Sequence, residues 1–101
     1  MSVVLINEEN DVFVCGNNNY GQLGLGHKNN VDVFTQIPNF KAISVSCRDS
    51  HTVFITEDYN AFICGRLGSI YDSNIPIQIP DFKHKPLSNI NFKNTKSARK
   101  V

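Results

Sequence analysis

VVLINEENDVFVCG, residues 3–16, returns as TVFITEDYNAFICG, residues 52–65. The two stretches align without a gap at a period of 49, and Cys-Gly closes both. A second pair, QIPNFK at 36–41 and QIPDFK at 78–83, aligns at a period of 42. The second copy is therefore seven residues shorter between its Cys-Gly and its Ile-Pro. Units of about 40–50 residues carrying several short strands are the sequence sign of propeller blades.

Local patterning agrees with strands. VVLIN and DVFVCG are rich in β-branched and aromatic residues and flank a short acidic turn, as a hairpin does. TVFIT and NAFICG repeat that design, with Asn10 and Asn60 as the expected turn residues because asparagine tolerates positive φ. KAISVSC, residues 41–47, ends in a further strand-like run. No stretch keeps an apolar i, i+3, i+4, i+7 pattern over three turns, so the expected class is all-β.

The seven residues lost from the second copy fall where the first carries NNNYGQLGLGH, residues 17–27, with Gly21, Gly24 and Gly26 inside six residues. Their spacing, G-x-x-G-x-G, reverses the dinucleotide fingerprint. A phosphate-binding loop also needs a following helix whose N–H groups meet the anion. KNNVDVFTQIP follows instead, with β-branched residues and a proline. The glycines are read as serving a tight backbone excursion between strands, where Cβ atoms would clash.

Composition bounds the rest. A chain of 101 residues with 41% hydrophobic and 19% charged residues fits one modest globular core. The longest apolar run, VVLI at 3–6, is too short for a signal h-region or a membrane span. Three widely spaced cysteines, Cys15, Cys47 and Cys64, do not suit a disulfide framework and favour an intracellular setting, cytoplasmic or nuclear. The net charge of +1 divides unevenly, with −5 over residues 1–82 and +6 over residues 83–101.

The order VFVCGNNNYGQLGLGH, then QIP, then ISVSCRDSHTVFITED resembles the regulator of chromosome condensation repeat. The residues that carry the resemblance are Gly16, Asn17, Tyr20, Gly21, Gln22, Leu23, Gly24, Leu25, Gly26, Cys47, His51, Thr52 and Gly65. It covers about residues 3–65 and fades where RLGSIYDSN replaces the glutamine-leucine-glycine element. Cys15 and Cys64 stand where that family usually has tryptophan, Arg48 stands for the glycine after Cys47, and Asn10 and Asn60 stand for the hairpin glycine. The resemblance implies four-stranded antiparallel blades, normally seven to a ring. It also implies that Tyr20, Leu23 and Leu25 anchor the glycine stretch between blades and that His51 ties down backbone.

The chain holds about one and a half to two such repeats, so the expected architecture is under two blades of an incomplete ring. Residues 1–83 form the repeat region, with a first unit at about 3–51 and a shortened second at about 52–83. Residues 84–101 form a basic tail without apolar period. Repeat arrays bury their cores between neighbours, and unpaired sheet edges recruit other strands.

No site chemistry stands out. Cys47, Asp49 and His51 lie within five residues, but a catalytic Cys/His pair normally comes from separate parts of a fold. Cys15 and Cys64 hold equivalent positions in adjacent copies and lack the close pairing of zinc ligands. No catalytic, cofactor or metal residues are expected. The expected function is a non-catalytic protein-interaction module, which meets a protein partner or a second copy through its open blade edges. The alternatives are a component of a small-GTPase guanine-nucleotide exchange regulator, or a degenerate remnant without activity. Lys93, Lys96, Arg99 and Lys100 in the tail suit weak contact with nucleic acid or an acidic surface.

Overall fold

The computed structural model describes residues 1–80 and Phe82. The basic tail, with Lys93, Lys96, Arg99 and Lys100, lies outside the described residues. Seven strands run through the described part: β1 (Ser2–Ile6), β2 (Asp11–Gly16), β3 (Val31–Lys41), β4 (Ser44–Cys47), β5 (His51–Ile55), β6 (Ala61–Leu67) and β7 (Tyr71–Gln78). All pairings are antiparallel, in one three-stranded sheet of order β1-β2-β3 and one four-stranded sheet of order β4-β5-β6-β7. The class is all-β, and the strands fall one short of two four-stranded blades.

The repeat is written into the register. Ser2 pairs with Gly16 in the first hairpin, as His51 pairs with Gly65 in the second. Phe13 meets Gln36 and Phe62 meets Gln78, so the 49-residue and 42-residue offsets converge on equivalent partners. The seven-residue loss falls wholly in the connection to the third strand of each copy, because Gly16 pairs with Val31 and Gly65 with Ser73. The sequence unit and the sheet are nevertheless offset. β4 precedes the second copy in sequence yet pairs with β5 in the second sheet.

One turn residue differs from expectation. Asn10 has φ 69°, but in the second hairpin Tyr59, not Asn60, has positive φ, at 65°. The reason is hydrogen-bond register. Asn10 N donates to Asn7 O and Tyr59 N to Thr56 O, while Asn7 N donates to Asp11 O and Thr56 N to Asn60 O. Asn60 thus plays the part of Asp11 and opens the strand. Tyr59 accepts the left-handed conformation at a cost of about 1 kcal/mol, which closure of the hairpin offsets.

The core lies between the sheets. Alternation along strands sends successive side chains to opposite faces. Val4, Ile6, Val12 and Val14 of the first sheet form one buried cluster with Val45, Cys47, Phe54 and Cys64 of the second. Phe40, at the end of β3, meets Phe54 and Phe62 edge-on, with ring centroids 5.0 and 5.4 Å apart. Among the described residues no helix is long and apolar enough to cross a membrane.

Candidate functional site

The loop after β2 leaves its own sheet and clamps the next. Asn18 fixes its shape from inside: Oδ1 accepts from Leu23 N at 3.0 Å, and Nδ2 donates to the carbonyls of His27 and Asn29, each at 2.9 Å. Asn18 is fully buried, so these bonds proceed without competition from water. Its neighbour Asn17, the one the sequence pattern singles out, is half-buried and accepts Asn19 N at a longer 3.3 Å. Nothing in the run Asn17-Asn18-Asn19 marks its middle member, because burial there is decided by the path of the loop.

The far side of the loop grips the second sheet. Gln22 is fully buried; its Oε1 accepts from Tyr20 N at 2.9 Å and its Nε2 donates to the Asp49 carbonyl at 3.0 Å. The carbonyl of Gln22 accepts from Thr52 Oγ1 at 2.8 Å and from the Cys64 thiol at 3.2 Å. Gly26 N donates to Asn74 O at 2.8 Å. The loop therefore bonds to the β4–β5 turn and to strands β5, β6 and β7.

Gly21 and Gly24 make this approach possible. Both have positive φ, 79° and 73°, which L side chains rarely adopt. A Cβ on Gly21 would lie 2.7 Å from Asn74 Cα, and one on Gly24 would lie 3.2 Å from Cys64 Sγ. Gly26 also has positive φ. Leu23 is fully buried in the cluster and Leu25 packs against it. Tyr20 is 42% exposed, in contrast to the buried Leu23, and lines a shallow cleft with Ser50, Arg66, Gly68 and Ser69 of the second sheet. Gly16 and Gly65 end the paired stretches of their hairpins, each at positive φ.

The cysteine–histidine stretch does not assemble a nucleophile. Cys47 is buried with Sγ 3.7 Å from Thr52 Oγ1, and burial pushes its thiol above the ordinary range. His51 departs from its expected role. Its backbone carbonyl accepts Arg48 N at 2.8 Å, but ring Nδ1 is buried with no hydrogen-bond partner. Burial, and then the Arg48 charge, lower its pKa, which favours the neutral ring. An open cleft of about 410 Å³ beside this turn is lined by Met1, Ser2, Asn17, Cys47, Arg48 and Asp49. Arg48 Nη1 is already engaged there by Ser46 Oγ and the Cys47 carbonyl. Among the described residues, no three His, Cys, Asp or Glu converge to hold a metal ion.

What the surface does offer is apolar area. β3 is an edge strand eleven residues long and largely exposed, with Val33 at 73% and Phe34 at 43%. Long exposed edges of this kind are where other chains add. Thr35 Oγ1 folds back on the Val33 carbonyl at 2.8 Å, which occupies part of that edge.

Comparison with known proteins places this geometry. Residues 9–55 match the regulator of chromosome condensation (RCC1) repeat. The chain is similar to the secretion-regulating guanine nucleotide exchange factor of Bos taurus, with 36% identity over 64 residues, 60% of this chain and 14% of that protein. The Mus musculus protein of the same name is 38% identical over 58 residues, 54% of this chain and 12% of that one. The chain thus spans about an eighth of the length of these relatives. In fold it is similar to human WBSCR16, with a TM-score of 0.67 at 24% identity over 77% of this chain and 23% of that one. The loop that clamps the second sheet lies wholly inside the segment, residues 9–55, that matches the regulator of chromosome condensation repeat.

Proposed function

We propose that this chain is a repeat-based protein-interaction module that carries no chemistry of its own. The observation that carries the reading is the division of labour among its polar and apolar groups. The fully buried polar side chains Asn18, Gln22 and Thr52 bond to backbone within the repeat, whereas the surface carries exposed apolar groups, Val33 and Phe34 on the β3 edge and Leu67, Ile70 and Ile75 along β6 and β7. Such a surface recognises another polypeptide through strand pairing and apolar contact. The relatives' name brings in a second reading, contribution to a guanine-nucleotide exchange regulator, with a small GTPase as partner. Exchange would draw on loops from several blades, so in this reading the chain supplies one part of a larger face.

Both readings are separated by immobilising the full chain against a panel of small GTPases and following release of a fluorescent GDP. We expect capture of a protein partner that is lost in Val33→Glu and Phe34→Glu, with GDP release unchanged by the chain alone. Accelerated release would move the conclusion to the exchange regulator. Loss of no partner with either variant would remove the β3 edge from the reading.

The tail adds a separate contact. Lys93, Lys96, Arg99 and Lys100 suit a weak, sequence-independent hold on an anionic surface, because clustered cations act by releasing counterions. Binding of a DNA duplex that falls steeply with salt, and disappears on removal of residues 84–101, is the expected result. Salt-independent binding would overturn it.

A further inference from the structure

Arg66, near the end of β6, is exposed and its guanidinium is unengaged. Among the described residues that group makes no hydrogen bond or ion pair, although Asp72 is its partner across β6 and β7. Its backbone, in contrast, is held twice by one residue of the β4–β5 turn. Arg66 N donates to the Ser50 carbonyl at 2.7 Å, and Ser50 Oγ donates to the Arg66 carbonyl at 2.9 Å. The buried Gln22 side chain does the same service for the clamping loop, accepting from Tyr20 N and donating to the Asp49 carbonyl. Tyr20 and Arg66 are thus fixed to neighbouring residues of a single turn.

Between them lies an open cleft of about 480 Å³, lined by Tyr20, Ser50, Arg66, Gly68 and Ser69. The side chains offer one guanidinium and three hydroxyls, and no carboxylate lines the cleft. Ser50 spends its proton on the Arg66 carbonyl, but the hydroxyls of Tyr20 and Ser69 have no partner among the described residues. One fixed cation, two uncommitted hydroxyl donors and no competing carboxylate suit an anion.

The kind of anion follows from count and charge. A carboxylate takes the guanidinium in a bidentate pair and leaves the hydroxyls of Tyr20 and Ser69 unmatched. The three terminal oxygens of a phosphate monoester accept from all three groups. Residues 1–82 carry −5, which opposes a polyanion. A single anionic group in contact with Arg66 escapes most of that field, which salt screens within about 8 Å. We propose that this cleft receives a phosphorylated side chain of a partner polypeptide. The inference rests on the interaction-module reading and gives the partner a chemical mark, at a site other than the β3 edge.

The test titrates a short neutral peptide with one phosphoserine into the isotope-labelled full chain and follows the amide signals of Gly68 and Ser69. Saturable shifts are expected, with half-saturation at about 1 mM peptide, as befits one charged contact and a few hydrogen bonds. Arg66→Gln, a change at an exposed side chain, should weaken binding about tenfold with melting unchanged. Arg66→Lys, which keeps the charge and loses the fork, should weaken it about threefold. Asp72→Asn removes a competing carboxylate and should tighten binding about twofold. These variants leave the basic tail as it is, so their effects read the cleft alone. The serine form of the peptide should not bind, and the glutamate form should bind about tenfold more weakly. Equal binding of the glutamate form, tighter binding of a nucleoside monophosphate, or affinity unchanged in Arg66→Gln overturns the proposal. So does the absence of any shift at Gly68 and Ser69. Val33→Glu and Phe34→Glu should leave the titration as it is, so the cleft and the β3 edge stand or fall independently.

Discussion

The hydroxyl of Thr52 donates to the carbonyl of Gln22 at 2.8 Å, and both residues are fully buried. One bond thus joins the loop of the first sheet to the second strand of the next. Thr52→Val keeps the shape and removes the donor. The carbonyl retains the Cys64 thiol at 3.2 Å, so we expect a loss of only about 1 kcal/mol by urea denaturation. Adding Cys64→Ala orphans the carbonyl, and the pair should cost more than the sum of the single changes. Strict additivity would show that the two donors do not share the acceptor.

Gly21→Val should be the most damaging change in the loop. The φ of 79° alone costs a β-branched residue about 1–3 kcal/mol, and its Cβ would press on Asn74 backbone. Gly26→Ala is the control, since its Cβ would meet only Ile75 at an ordinary 3.9 Å. Denaturation midpoints should fall markedly for the first and by about 1 kcal/mol for the second. Equal losses would mean that close approach to Asn74 does not matter.

Much of this was legible in the residues, and the exceptions share a cause. Hairpins, the two offsets and the excised loop all follow from pairing rules that act along the chain, so Phe13 with Gln36 and Phe62 with Gln78 could be anticipated. Tyr20, Asn18 and His51 could not. Whether Tyr20 anchors or faces water depends on the path the loop takes across a second sheet, which no local pattern records. Asn18 differs from Asn17 only by that path. The ring of His51 finds no hydrogen bond at Nδ1 because the neighbouring backbone groups are bonded to one another and to Arg48.

Asn18→Asp tests the middle asparagine. The swap is isosteric, but it sets a carboxylate against the carbonyls of His27 and Asn29, which lose their donor. A buried, misdirected charge of this kind should cost about 3 kcal/mol or more. Asn17→Asp, at a half-buried site with one long bond, should change stability by well under about 1 kcal/mol. Thermal melts of the two variants at neutral pH give the comparison directly, and similar losses would return Asn17 to the central place the sequence pattern suggests.

The last expectation concerns alkaline pH. Burial, then the nearby Cys47, raise the Cys64 thiol from 9.0 to about 12. The folded chain therefore holds that proton more tightly than the unfolded chain does. The resulting stabilisation is complete below pH 9.0 and is lost as pH rises towards about 12, because the unfolded chain gives up its proton first. Melting temperature should accordingly fall between pH 9 and pH 11 in the native chain. Cys64→Ala should start from a lower temperature, having lost a packed side chain, but decline less steeply over the same interval. Thiol titration adds an independent reading: at pH 8 Cys15 should react promptly, with Cys47 and Cys64 following only in denaturant. Parallel melting curves for native and Cys64→Ala chains, or three prompt thiols in the native state, would show that the clamp does not seal Cys64 from water.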